Sequence, residues 1–225
     1  MRSEPSNLAE SKWRKFLKRV RLFRFVPFVD FVLASGSLAT GKLHEKSDFD
    51  VIVGVRRGRI FTARFFGVSF SQVMGWRRSK LDGKGEVSDK ICLNHFITPK
   101  SYRLSPPHNE YWDRLYQNLV PVLGNENKIR DFFRANDWME SQRIYRRDSR
   151  YIHRTSTLTK KFLEWILGGI FGNKIEGILK ENQIKRIESG LPHTLGRKPR
   201  FIYNDSELEF HPDTARIEEM MKRST

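Results

Sequence analysis

Two short apolar runs near the amino terminus constrain the fold most strongly. Residues 28–34 are almost wholly apolar. Residues 47–55 alternate, so that Phe49, Val51 and Val53 fall on one side of an extended chain. Runs of this length and pattern predict two β-strands that pack against a hydrophobic core. The polar, glycine-bearing stretch between them predicts a turn that opens a short helix.

The second run carries two carboxylates in an otherwise apolar setting. Asp48 and Asp50 are two positions apart, so in a strand both side chains project from the same face. Neighbouring carboxylates repel each other unless they are protonated or neutralised. One or two divalent cations would resolve this conflict, and carboxylate oxygens are ligands that Mg²⁺ prefers. The spacing therefore indicates a magnesium site.

A glycine–serine pair precedes the two aspartates. Gly36 follows the first predicted strand and permits close approach of a ligand to the backbone. Ser37 adds a hydroxyl donor, and the backbone N–H groups of such a turn suit an anion. A phosphate site on one side and a metal site on the other indicate a nucleoside triphosphate (NTP) site, with ATP among the candidate nucleotides.

These residues carry a resemblance to a known family. The sequence GSLATG, a five-residue spacer and then SDFDVIV resembles the signature of the DNA polymerase beta nucleotidyltransferase superfamily, in particular its minimal nucleotidyltransferases. The match covers about twenty residues, and Thr40 departs from the arginine or tyrosine of many minimal members. The matching positions are Gly36, Ser37, Ala39, Gly41, Ser47, Asp48 and Asp50.

The resemblance implies both a fold and a site. The implied fold class is α+β, with a small mixed sheet flanked by helices and followed by a mostly helical C-terminal region. In the implied site, Asp48 and Asp50 bind Mg²⁺ and serve catalysis. Gly36 and Ser37 hold the β- and γ-phosphates, and Ser47 belongs to the nucleotide-binding set. The family normally adds a third carboxylate from a later strand.

The candidate later strand, residues 90–98, has no carboxylate at its centre. Asn94 stands there and can offer a carbonyl oxygen as the third metal ligand, while the adjacent His95 can accept a proton. Ordinary hydrogen bonding beside the sheet is the alternative for both side chains. Asp89 and, less directly, Glu86 replace Asn94 if the strand register differs.

The remaining sequence divides into a strand-rich first half and a helix-rich second half. Apolar spacing predicts helices at residues 8–26, 59–76, 109–124, 127–150 and 162–187. The tail, residues 199–213, predicts two short strands around an Asn-Asp-Ser turn. This order predicts a nucleotidyltransferase-like domain at residues 1–105 and a helical region at residues 106–225 with a short β-like tail.

The net charge of the chain suggests polyanionic partners. The 225 residues include 42 Lys and Arg against 26 Asp and Glu, a net charge of +16 that attracts polyanions such as RNA. The arginines after residue 55 and the Arg- and Tyr-rich segment 143–154 suit phosphate contact and base stacking, or are solvated faces that pack their tyrosines inward.

Cys92 is the single cysteine and is interpreted as a buried core residue, which fits a cytoplasmic protein. The apolar segment 162–179 contains charges and is too short to span a membrane. We expect it to be buried in the core, with packing on a partner helix or a shallow membrane position as alternatives.

Two functions remain open from the sequence. The first is an Mg²⁺-dependent nucleotidyltransferase that moves a nucleoside monophosphate from an NTP to an acceptor hydroxyl. The second is a catalytically impaired member of the same fold that binds nucleic acid or a protein partner, because no clear third carboxylate is present.

Overall fold

A computed structural model describes residues 5–78, 88–106, 108–139, 148–152, 156–190 and 200–211. The seven helices of this part of the chain are α1 (Pro5–Val20), α2 (Gly36–Thr40), α3 (Ile60–Val73), α4 (Glu110–Gln117), α5 (Glu126–Ala135), α6 (Leu158–Ile166) and α7 (Ile170–Gly190). Short 3₁₀ turns follow α1 at Arg21–Arg24 and precede α4 at Pro99–Ser101.

The described strands form one six-stranded sheet. They are β1 (Val29–Ala34), β2 (Phe49–Val55), β3 (Ile91–Ile97), β4 (Val120–Gly124), β5 (Arg200–Tyr203) and β6 (Glu207–His211). Their order across the sheet is β4-β1-β2-β3-β6-β5. Only β2 and β3 run parallel, because α3 carries the chain back between them, and the other neighbours are antiparallel. The predicted α+β class with a mixed sheet flanked by helices is confirmed.

Alternation along the central strands gives the sheet two buried faces. Val32 and Val53 belong to a core that includes residues of α1 and α3, and α7 packs against it. Phe31 and Ile52 point the other way, into a second core with residues of α4 and α5. Because Asp50 is two residues before Ile52, its side chain belongs to the face that α4 covers.

The segment predicted as a helix at residues 109–124 is helical only in its first half. After α4 ends at Gln117, the chain extends as β4 and pairs with β1. Gly124 ends that strand with φ 135°, and a Cβ there would overlap the backbone of Phe31. Pairing with the free edge of β1 therefore decides the structure of this segment.

The predicted helix over residues 162–187 is divided into α6 and α7. Gly168 and Gly169 lie between the two helices, where the absence of side chains favours an ending. The two tail strands form as predicted, and β6 extends the sheet by pairing with β3. The sheet thus draws strands from both sides of residue 105. Among the described helices, none has the length and apolar character needed to cross a bilayer.

Candidate functional site

The two aspartates meet at the start of β2. Asp48 directly precedes the strand and Asp50 is its second residue, while Phe49 and Val51 between and after them are buried in the core. Ligand atoms of Asp48, Asp50 and Cys92 all lie within 4.8 Å of one another. The two carboxylates therefore project to one side, as the strand spacing predicts.

The Gly36 turn lies directly against Asp50. The antiparallel pairing of β1 with β2 places Ala34 opposite Val51, and the Ser35 amide donates a hydrogen bond to the Asp50 carbonyl over 3.0 Å. Gly36 has φ 62°, and a Cβ at this position would overlap Asp50 Oδ2. Only glycine meets both conditions without strain. The predicted phosphate turn and the predicted metal ligands are therefore neighbours.

One arginine partly neutralises the pair. Arg78 Nη1 lies 2.5 Å from Asp48 Oδ2, and its side chain is 44% exposed. Its backbone amide bonds to the Ile91 carbonyl at the start of β3, which holds this residue beside the aspartates. This half-exposed guanidinium therefore bonds Asp48 but does not prevent the pKa of the neighbouring Asp50 from rising.

This charge balance shifts the protonation of the site. Burial, and next the charge of Asp48, raise the pKa of Asp50 to about 6, although Arg78 opposes the shift. Burial, and then Asp50 and Asp48, also raise the pKa of the Cys92 thiol well above its ordinary value. The thiol therefore keeps its proton at neutral pH.

Cys92 occupies the position expected of a third ligand, and sequence reasoning missed it. In the parallel pairing of β2 with β3, Cys92 is the direct partner of Asp50. The Cys92 side chain was predicted to be a core residue, yet it faces the carboxylates rather than the apolar core. Strand register is the signal that locates it, because a residue opposite Asp50 must share its face.

The other candidates for the third ligand lie in different settings. Asn94 is half-buried in β3 at a register irregularity between Asp50 and Ile52, and its role as a metal ligand stays a prediction. Asp89 bonds to Lys12 and Lys15 of α1; although burial would raise its pKa, these bonds lower it. Glu86 lies outside the described residues.

Ser47 and His95 have structural partners of their own. Ser47 is buried, and its hydroxyl accepts a hydrogen bond from the His44 amide, which closes the turn before β2. His95 belongs to a second polar cluster, in which its Nε2 lies 3.1 Å from Glu207 Oε1. His95, Glu207 and Glu209 also have potential ligand atoms within 4.8 Å of one another, and all three are buried.

Arg200 and His211 contact this second cluster. Arg200 Nε donates to Glu209 Oε2 over 2.6 Å, and His211 Nε2 lies 3.1 Å from Glu209 Oε1. Burial alone would raise the pKa of Glu209, but His95, His211 and Arg200 together lower it to about 2. These groups form an internal ion-pair network between β3, β5 and β6.

The arginines that follow β2 lie at the opposite end of the strand from Asp48. Arg56 pairs with Glu164 over 3.1 Å, and Arg59 donates to the Gly168 carbonyl. In the segment 143–154, Tyr151 is buried and its hydroxyl donates to the Gly124 carbonyl, so it packs inward and is not available for stacking. Tyr145 and His153 lie outside the described residues.

Comparison of the chain with protein-family models, with curated proteins and with solved structures finds no match. The motif of residues 36–50 and the geometry around it are therefore the basis for a functional proposal.

Proposed function

We propose that this protein binds an Mg²⁺–NTP complex at the Gly36 turn and the two aspartates, and transfers the nucleoside monophosphate to an acceptor hydroxyl. The observation that carries the proposal is the direct packing of Gly36 on Asp50. A ligand that touches the turn is then also within reach of the carboxylates. A triphosphate with its metal ion has this extent and this charge distribution.

The donor set fits magnesium through two residues. The carboxylates of Asp48 and Asp50 are close together, and the raised pKa of Asp50, caused first by burial and next by Asp48, indicates a shortage of positive charge. A bound divalent ion would relieve it. The Cys92 thiol suits softer metals, so Asp48 and Asp50 would hold Mg²⁺, whose remaining positions go to water and phosphate oxygens.

Magnesium, when bound, supplies positive charge that neutralises the phosphates and the leaving pyrophosphate. The chain's own groups supply binding and orientation. Gly36 allows the turn to pack directly on the Asp50 carboxylate, so a phosphate bound at this turn would lie beside the metal ligands, and Ser37 offers its hydroxyl. Arg78, half exposed, can move from Asp48 to a phosphate oxygen.

The reaction forms a bond between the acceptor oxygen and the α-phosphorus and breaks the bond to pyrophosphate. The acceptor hydroxyl loses a proton in this exchange. Cys92 does not accept it, because its raised pKa keeps the thiol protonated. Asp48 and Asp50 would both be occupied as metal ligands, so the proton would pass to solvent water.

A second candidate function has its own support. Cys92 stands where a third carboxylate would complete the metal site, and Arg78 already bonds Asp48. Both features favour a catalytically impaired member of the fold that binds a polyanion through its net positive charge. Such binding would weaken steeply with salt and would survive the loss of both aspartates.

Labelled-nucleotide transfer tests the proposal. The purified protein is incubated with each α-labelled ribonucleotide, Mg²⁺ and either total RNA or total protein as acceptor. We expect label in one acceptor pool, and at least about a hundredfold less with Asp50→Ala. Asp137→Ala, at an exposed carboxylate paired with Arg103, is the matched control and should retain transfer.

Two results would decide against the enzyme. Undiminished transfer by folded Asp50→Ala would remove the aspartates from the chemistry. Absence of transfer, together with salt-sensitive RNA binding that an Asp48→Asn/Asp50→Asn variant retains, would favour the second candidate.

A further inference from the structure

Helix α6 has an inverted arrangement of polar and apolar side chains. Two of its charged residues face the body of the protein: Lys160 Nζ donates to the Val29 carbonyl over 2.6 Å, and Glu164 Oε1 accepts from the Phe28 amide over 2.8 Å. Its large apolar residues face outward, with Leu158 85% and Trp165 78% exposed. A surface helix ordinarily shows the reverse pattern.

Helix α7 also makes polar contacts with the body of the protein, in addition to its apolar packing on the first core. The Glu176 carboxylate accepts hydrogen bonds from the Phe61 and Thr62 amides, and Gln183 bonds to the Phe61 carbonyl and to Arg64. These polar contacts fix α7 to the start of α3. Meanwhile large apolar side chains at the first residues of α7 remain in solvent, and the expectation of core burial is wrong for them.

We define the α6–α7 patch as the exposed large apolar residues of α6 and of the first two positions of α7. Four of them recur at helical spacing on α6, the Phe162 and Trp165 rings lie 6.2 Å apart, and two more follow the Gly168–Gly169 turn directly. Exposed apolar surface of this extent marks an interaction site. Its members are Leu158, Phe162, Trp165, Ile166, Ile170 and Phe171.

Charges around the patch select the partner. Within residues 158–178, all of which the structure describes, the exposed ionisable side chains are Lys161 and Lys174. The two carboxylates there, Glu164 and Glu176, are both turned inward by the bonds described above. Arg56 to Arg59 add a basic loop beside Gly168 and Asn173. Over residues 158–178 and the basic loop, the patch is therefore apolar at its centre and has exposed basic residues at its rim.

We propose that the α6–α7 patch binds the interfacial region of an anionic lipid bilayer. Exposed Trp and Phe beside Lys and Arg are the composition that inserts shallowly among headgroups, where the rings meet the acyl boundary and the cations meet anionic lipid. A second copy of this chain is disfavoured, because it would place two basic rims together in a protein of net charge +16.

The proposed membrane surface is separate from the candidate nucleotide site. The basic loop begins after the last residue of β2, whereas Asp48 precedes the first, so the length of a seven-residue strand, about 20 Å, separates them. Loss of one activity should therefore leave the other unchanged, and vesicle binding needs neither Mg²⁺ nor NTP.

Vesicle sedimentation with the full chain tests the proposal. We expect binding to mixed phosphatidylcholine–phosphatidylglycerol vesicles that is about tenfold tighter than to phosphatidylcholine alone. Phe162→Ser/Trp165→Ser should weaken binding about tenfold or more, and Lys161→Glu/Lys174→Glu should remove the preference for anionic lipid. Val73→Ser/Met74→Ser changes two exposed apolar residues outside the patch and should bind as wild type.

Circular dichroism melting curves establish that each variant is folded. Unchanged vesicle binding by folded Phe162→Ser/Trp165→Ser would overturn the proposal, as would absence of binding by the wild type. Light scattering gives a further contrary outcome: a dimer in solution that the same double variant converts to a monomer would assign the patch to self-association.

Discussion

Two acidic clusters occupy one face of the same sheet, and the protein treats them in opposite ways. Asp48 and Asp50 share one half-exposed arginine, and burial with their mutual repulsion raises the pKa of Asp50 to about 6. Glu209 is surrounded by His95, His211 and Arg200, which overcome burial and lower its pKa to about 2. The comparison shows that cations of the protein compensate the buried Glu209 carboxylate, whereas Arg78 does not prevent the pKa of Asp50 in the β2 pair, Asp48 and Asp50, from rising.

The largest expected effect concerns the neutralised cluster. Glu209→Gln removes the carboxylate partner of Arg200 inside a buried network, and should lower the free energy of unfolding by about 3 kcal/mol. Urea denaturation at pH 7 measures this change. Asp137→Asn removes an exposed partner of Arg103 and should change it by less than about 1 kcal/mol. Equal effects would mean that the network around Glu209 is not the stabilising element.

Removing a carboxylate from the pair Asp48 and Asp50 should change the free energy of unfolding in the opposite direction. Asp50→Asn keeps the size of the side chain but removes the poorly compensated charge, and should raise the free energy of unfolding by about 2 kcal/mol at pH 8 without Mg²⁺. The folded pKa of Asp50 lies above its ordinary 3.8, so wild-type stability falls as pH rises from about 4 to about 6.

The stability advantage of Asp50→Asn over the wild type therefore develops as the pH rises from about 4 to about 6, and it is absent at lower pH. For Glu209, whose pKa is lowered from 4.5, the stabilisation is present above the ordinary pKa and is lost as pH falls toward about 2. Parallel pH profiles for Asp50→Asn and Glu209→Gln would contradict the distinction between the two clusters.

A third carboxylate beside Asp48 and Asp50 should strengthen Mg²⁺ binding at this site. Cys92→Asp places an acidic oxygen donor opposite Asp50, and should tighten Mg²⁺ binding about tenfold, or about 1.4 kcal/mol. Isothermal titration calorimetry measures the affinity. Cys92→Ser, which adds a neutral oxygen, is the control and should change it much less. Weaker Mg²⁺ binding by folded Cys92→Asp would show that Cys92 does not face the metal position.

The smallest expected effect belongs to Arg78. Arg78→Ala breaks an ion pair whose arginine side chain is 44% exposed, so its cost in unfolding free energy should stay below about 1 kcal/mol. Removing this cation should also raise the pKa of Asp50 further, which NMR titration of the carboxyl carbon would detect. A fall in that pKa would reverse the assigned role of Arg78.

The sequence predicted the centre of the fold better than its edges. β1 and β2 were found because their apolar alternation is set locally, and the tail hairpin because its turn residues are distinctive. β4 was missed because its five residues continue an apolar helical pattern, and only the unpaired edge of β1 makes them a strand. The division between α6 and α7 depends on two glycines inside an apolar run.

The candidate site shows the same division between local and long-range information. The placement of Asp48 beside Asp50 follows from strand spacing, and the contact with Gly36 agrees with the motif. The position of Cys92 depends on the register between β2 and β3. The ion-pair partner of Asp48 is Arg78, which lies 30 residues further along the chain. Neither is encoded in the residues around the motif.

The proposed binding of Mg²⁺–NTP by Asp48 and Asp50 is measured most directly by ligand-induced stabilisation. The melting temperature is recorded with each ribonucleotide, with and without Mg²⁺, for wild type and for Asp48→Asn/Asp50→Asn. At a ligand concentration about one hundred times Kd, we expect about 2.7 kcal/mol of stabilisation, only with Mg²⁺ and only in the wild type. An equal shift in the double variant, or one that persists in EDTA, would contradict the account.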